Sequence, residues 1–308
     1  HGKKIDSHSN SKKYTKRYYG ESLIFDILIY GFLAFAALCM IYPFLNVIAV
    51  SISDYGSYLE NPMRILPGKI DFGAFQHVFS SSLILSSYRN TIIITVVGTL
   101  ITLTLTILTS YPLSKKDLKG KSIFMNLLIF TMLFNGGIVP SFYLIRSLGL
   151  LDTLWALILP STISAYNIIL MKNFFASLPE SLEEAARIDG ASDLYVLIKI
   201  VVPLSTPIIA TISLFVCVGY WNSYFNAVLY IRDQGKWTLQ LLLREIIMSA
   251  NTQLLNAGGN FAEISSDVIP PQTIKYASLI VVVLPILCVY PFLQKYFVKG
   301  IMMGAVKG

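Results

Sequence analysis

Residues able to do chemistry fall in two places. Glu180, Glu183, Glu184, Arg187, Asp189 and Asp193 crowd into the run "ESLEEAARIDGASD". Its charges can meet the basic groups of a partner, but no His or Cys stands near to act as base or nucleophile. The second group is uncharged: Trp221, Asn222, Tyr224 and Asn226 in "YWNSYFNAVLYI", with Asn167 further upstream. Amides, hydroxyls and aromatic rings of this kind hydrogen-bond and stack on a polyhydroxylated solute, and so mark a substrate path. The same residues also serve as interhelical hydrogen-bond partners and interfacial anchors.

Other chemistries find no constellation. Cys39, Cys217 and Cys288 have neither metal nor redox spacing, and His1, His8 and His77 are scattered. We therefore expect no catalytic residues and no metal ligands. "GKS" at 120–122 imitates the end of a phosphate-binding loop, but that loop needs Gly where Lys115 stands. The chain is expected to hold no cofactor, with ATP and Mg bound by separate ATPase subunits.

The elements that position these residues are apolar. The chain has 308 residues, 55% hydrophobic and 13% charged, with a mean hydropathy of +0.64, whereas soluble domains carry about 25% charged residues. Six stretches approach or exceed the roughly 20 residues that a bilayer crossing needs: 27–51, 91–113, 123–145, 153–171, 200–231 and 276–293. None contains Asp, Glu, Lys, Arg or His. Backbone groups in lipid must pair internally, so the stretches read as helices. The first is too long for a cleavable leader and lacks a cleavage pattern. With the N-terminus inside, the inner pieces hold 16 of the 24 Lys and Arg residues, which favours N-in, C-in. The expected fold is all-α integral membrane, with six transmembrane helices. The net charge of +7 is then a topology signal and a mark of the lipid bilayer, and nucleic acid is not a partner. The expected organisation is a cytoplasmic basic arm over 1–22 and a single permease domain over 23–308. Pro and Gly punctuate the spans, at "NGG" 135–137, Pro140, Pro160, Pro207, Pro285 and Pro291.

The acidic run belongs to an inner segment, 177–202. Ser177 and Glu180 have capping-box spacing, Pro179 suits a first turn, and good helix formers follow. Gly190 suits the left-handed residue after a helix, and Ser192 can cap a second helix, 193–202, that Pro203 ends or bends. Leu182, Ala185 and Ala186 are expected to share a shallow face, with Glu183, Glu184 and Asp189 charged beside it. The sequence predicts helix, sharp turn, helix.

Glu184, Ala185, Ala186, Gly190, Ile200, Val202 and Pro203 resemble the EAA signature of the membrane subunits of binding-protein-dependent ABC importers, with Val202 where that family usually has Leu. "GLLDTLWALILP" at 149–160, "YWNSYFNAVLYI" at 220–231 and the terminus "QKYFVKGIMMGAVKG" resemble its carbohydrate branch, the maltose-type smaller membrane subunit. The resemblance implies a type I importer permease in a bacterial inner membrane, paired with a second homologous permease subunit, two ATPase subunits and an extracytoplasmic solute-binding protein. It implies a neutral or acidic oligosaccharide as substrate. It makes 177–202 the coupling helices, with Glu184, Ala185, Ala186, Asp189 and Gly190 docking on the ATPase. Gly235–Phe261, in the long outer loop 232–273, would meet the binding protein. The rival readings are an ion-coupled secondary transporter, a polytopic membrane enzyme and an importer of a non-sugar solute.

Overall fold

The computed structural model describes residues 8–256 and 272–288, and the side chains of 25–249 and 272–288. Residues 1–7 of the expected arm, 257–271 of the long loop, the end of the sixth stretch and the tail lie outside the described residues. The elements are α1 (His8–Ser51), α2 (Tyr55–Glu60), α3 (Gly73–Ser80), α4 (Ser82–Ser114), α5 (Lys121–Leu133), α6 (Ile138–Ser147), α7 (Trp155–Ile158), α8 (Ala165–Phe175), α9 (Glu180–Ile188), α10 (Asp193–Leu204), α11 (Thr206–Trp221), α12 (Phe225–Tyr230), α13 (Leu239–Asn256) and α14 (Gln272–Cys288).

The all-α expectation holds, but the six-helix, N-in/C-in, type I architecture is corrected. Among the described residues, two helices are long and apolar enough to cross a bilayer unbroken, Phe25–Ser51 within α1, and α4. α5 with α6 qualifies only as a pair bent by 113°, and α10 with α11 only as a pair bent by 81°. α14 is apolar but shorter. The breaks have local causes. Asn135 Oδ1 accepts the Gly137 N–H at 2.9 Å, and Gly137 takes φ +85°, a conformation glycine adopts without steric cost. At the second break Ser205 leaves helical geometry, with φ −97° and ψ 10°, and Pro207 just beyond it has no N–H to give the Pro203 carbonyl; upstream the helix widens to a π-turn over Leu197–Val201. The fourth stretch changes to a 3-10 turn at Leu159–Ser161, around Pro160. Hydropathy registers apolar content, which these breaks leave untouched.

α4 is the central element, packing chiefly on α11 and α8. Ser87, Thr91, Thr95, Gly98, Thr102, Thr106 and Ser110 are all buried. Their spacing of three or four puts them on one helical face, and small residues let helices approach closely in a membrane. The face is also hydrogen-bonded. Thr91 Oγ1 accepts the Leu239 N–H at 2.9 Å, Asn90 Nδ2 donates to the Gly235 carbonyl at 2.8 Å, and Ser110 Oγ donates to the Ile168 carbonyl at 3.0 Å.

At the crossing with α11, the ring of Tyr220 lies over Gly98. A Cβ at Gly98 would stand 2.6 Å from Tyr220 Cζ. The Tyr220 hydroxyl donates to the Ile158 carbonyl at 3.0 Å and lies 3.1 Å from Thr102 Oγ1, so a polar tip deep in the bundle is satisfied. Gly98→Val should overpack this crossing, costing about 1–3 kcal/mol and lowering the apparent Tm in detergent. Gly219→Ala, whose new methyl would meet nothing within 4 Å, should leave the Tm unchanged in the same thermal-shift measurement.

Candidate functional site

The acidic run folds as helix, turn, helix. α9 begins at Glu180 with Pro179 as its cap residue and no side-chain cap bond. The expected capping box does not form, because Ser177 Oγ donates back to the Phe174 carbonyl at 2.7 Å. At the other end Gly190 takes φ +83°, its N–H reaches the Arg187 carbonyl, and the Ala191 N–H reaches that of Ala186, both at 3.0 Å. This double closure ends the helix sharply and needs a left-handed residue. Ser192 caps α10 by accepting the Tyr195 N–H at 3.3 Å. Arg187 Nη2 bridges the turn to Asp193 Oδ1 at 2.9 Å.

The two faces of α9 differ. Ala186 packs against the core with Leu178 and Ala191. Glu183 also turns inward, where its carboxylate pairs with Lys115 and accepts from the Tyr111 hydroxyl at 3.3 Å. The Lys115 ammonium sits 4.1 Å above the Tyr111 ring. Beside it Lys116 pairs with Glu180 at 2.6 Å, and that hydrogen bond and charge hold the Glu180 carboxyl below the usual range. The far end of α4 thus clasps the first turn of α9. Outward stand Glu184, Ala185, Ile188, Asp189 and Gly190, all exposed, with Ile188 at 85%. Ala185 and Ala186, expected on one face, are divided between the two.

The uncharged group forms a cavity of about 450 Å³ between α8, α11 and α12. Asn167, Asn222, Tyr224 and Asn226 line it, together with Ser161, Tyr220 and Ser223 and without any Asp, Glu, Lys, Arg or His. Trp221 is elsewhere, buried against Leu239, Leu243 and Val282, and its Nε1 has no hydrogen-bond partner among the described residues. Consecutive residues at a helix end point different ways, which the quoted run alone does not reveal. Sequence reasoning passed over Lys115, Gln240 and Asp152. Gln240 Nε2 donates to Asn222 Oδ1 at 3.1 Å. Among the described residues no group of His, Cys, Asp and Glu converges as a metal site.

Asp152 ties down one side of the cavity. It has φ +58°, and its N–H donates to the Tyr230 carbonyl at 2.8 Å. Its Oδ1 accepts the Arg232 and Asp233 N–H groups, each at 3.0 Å, and its Oδ2 meets Lys236 Nζ at 3.2 Å. α12, which carries Asn226, is thereby held where it leaves the cavity. The Asp233 amide is the main cause holding the Asp152 carboxyl below the usual carboxylate range; slight desolvation opposes it, and the Arg232 amide and Lys236 reinforce it.

Residues 91–303 match the model of the family described as "Binding-protein-dependent transport system inner membrane component". The chain belongs to this family. It is a multi-pass permease subunit of a bacterial inner-membrane ABC importer, and it works with a solute-binding protein and an ATPase without catalysing bond chemistry itself. It is 47% identical to the polygalacturonan/rhamnogalacturonan transport system permease protein YtcP of Bacillus subtilis (strain 168) over 92% of this chain and 99% of that one. To protein LplC of the same organism it is 44% identical, over 92% and 95% of the two chains. Its fold is similar to a chain in the crystal structure of a bacterial ABC transporter involved in the import of the acidic polysaccharide alginate. That likeness has a TM-score of 0.83 and 37% identity, over 90% of this chain and 98% of the other.

A folded carboxyl below its unfolded pKa stabilises fully above the unfolded value, about 4 for Asp, and the effect is lost as pH falls through the folded value. The Arg232 and Asp233 amides should therefore exchange slowly with deuterium above about pH 4, beyond what intrinsic rates explain, and lose that protection on further acidification. Asp152→Ala should show the fast pattern at every pH.

Proposed function

We propose that this permease lines the route of an oligosaccharide, including acidic chains of uronate type, and that α9 with the turn into α10 is the surface on which the ATPase docks. The uncharged cavity carries the reading of the route. Amides and hydroxyls from Asn167, Asn222, Tyr224 and Asn226 can exchange hydrogen bonds with successive sugar hydroxyls while the rings offer flat apolar faces. No fixed charge there traps the solute, so it can leave as readily as it enters. The names of the YtcP relative and of the alginate importer support a sugar cargo with carboxylates.

The assembly consists of this subunit, a second homologous permease, two ATPase subunits and the binding protein. Glu184, Ala185, Asp189 and Gly190 form the outward edge of the docking element, and Ala186 seats it on the bundle. The methyl of Ala185 and the bare Gly190 let a partner approach closely, while Glu184 and Asp189 meet its basic groups. Of Gly235–Phe261, Leu239, Leu241, Leu242 and Leu243 are buried in the bundle, so we assign to the binding protein the part of that segment beyond Arg244; its residues from 257 lie outside the described ones.

Ala185→Trp tests the docking. The site is exposed, so the subunit should fold and reach the membrane, while ATP-driven oligosaccharide uptake in proteoliposomes falls by about tenfold or more, the equivalent of about 1.4 kcal/mol. Unchanged uptake would remove Ala185 from the docking surface.

A further inference from the structure

α13 brings a cation to the rim of the uncharged cavity. Gln240 and Arg244 are four residues apart and so share one face of that helix. Gln240 holds Asn222 through the amide bond of 3.1 Å, and the guanidinium carbon of Arg244 lies 5.5 Å from the centre of the Tyr224 ring. Asn222 and Tyr224 both line the cavity. The guanidinium therefore stands one side chain back from a space that has no charge of its own.

Its present ion pair is weak. Arg244 Nη1 meets Glu245 Oε1 at 3.0 Å, with the two side chains 41% and 42% exposed, and exposed pairs of this kind contribute little. Adjacent helical residues also point apart. The ring face attracts the guanidinium at this distance, and a guanidinium edge matches a carboxylate with two parallel hydrogen bonds.

We infer that Arg244 is a specificity-determining residue that takes a substrate carboxylate at the cavity rim, with Tyr224 and Gln240 holding the rim in shape. This rests on the acidic-oligosaccharide reading above. A neutral sugar would engage only the amides and rings of the cavity, whereas a uronate would add a charge-assisted contact as it enters.

The test uses the complete membrane complex in nanodiscs, without the binding protein, titrated calorimetrically with a trigalacturonate and with its methyl ester. The ester keeps the sugar rings and removes the charge. The wild type should bind the acid more tightly than the ester by about tenfold, the scale of one charged hydrogen-bond contact, and added salt should narrow the gap. Arg244→Gln should abolish the preference, and Arg244→Lys should keep part of it. A preference that survives intact in Arg244→Gln would overturn the role of Arg244 while leaving the acidic reading standing. No preference in the wild type would overturn the acidic reading itself.

Discussion

The contact of the Tyr220 ring with the bare backbone at Gly98 sets how closely α4 and α11 can approach, and much else follows from that distance. Tyr220 also lines the cavity, and its hydroxyl satisfies Ile158 and Thr102 across the bundle. The same helix that carries Gly98 ends at Tyr111 and Lys115, where α9 is clasped. Sixteen residues of helix, 99–114, lie between Gly98 and Lys115, about 24 Å at 1.5 Å per residue. One stiff element thus spans the distance between the uncharged cavity and α9, the proposed docking element. Small residues along its face allow close packing, and the hydroxyls of Thr91, Thr102 and Ser110 take up hydrogen bonds that lipid could not supply.

Charge is distributed to suit this arrangement. It is absent from the lining of the cavity, and it concentrates where elements must be held in register. Asp152 organises the turn after α12 by accepting two backbone amides and a lysine, and Glu183 and Glu180 fasten α9 to the lysines beyond α4. Lys116–Glu180 is an exposed pair and Lys115–Glu183 a partly buried one, and exposed pairs add little net stability.

Much of the helix, turn and helix of α9 and α10, the proposed docking element, was legible in the sequence, because its signals are local. Gly190 and Ser192 act where turn and capping chemistry put them, and helix propensity accounts for α9. The inward turn of Glu183 and Ala186 was not legible, since it depends on Lys115 and Tyr111, about seventy residues away in the chain. The apolar stretches were plain, yet their continuity was not. A proline or a left-handed glycine changes helix direction without changing hydropathy, so among the described residues the six stretches become two unbroken helices, two bent pairs and shorter pieces. At the cavity, residue type pointed to Asn167, Asn222, Tyr224 and Asn226, but the outcome at Trp221 depended on α13 and α14 packing over it. Asp152 gave no signal, because its role comes from a positive φ and from partners around Arg232.

The proposed link from α9 to the cavity is tested most directly by reversing the pair at the end of α4. In the reconstituted complex, Lys115→Glu and Glu183→Lys should each leave ATP hydrolysis running while solute uptake per ATP falls, and the two together should restore uptake toward the wild-type ratio. Wild-type uptake per ATP in both single variants, or no recovery in the double variant, would contradict transmission through this clasp.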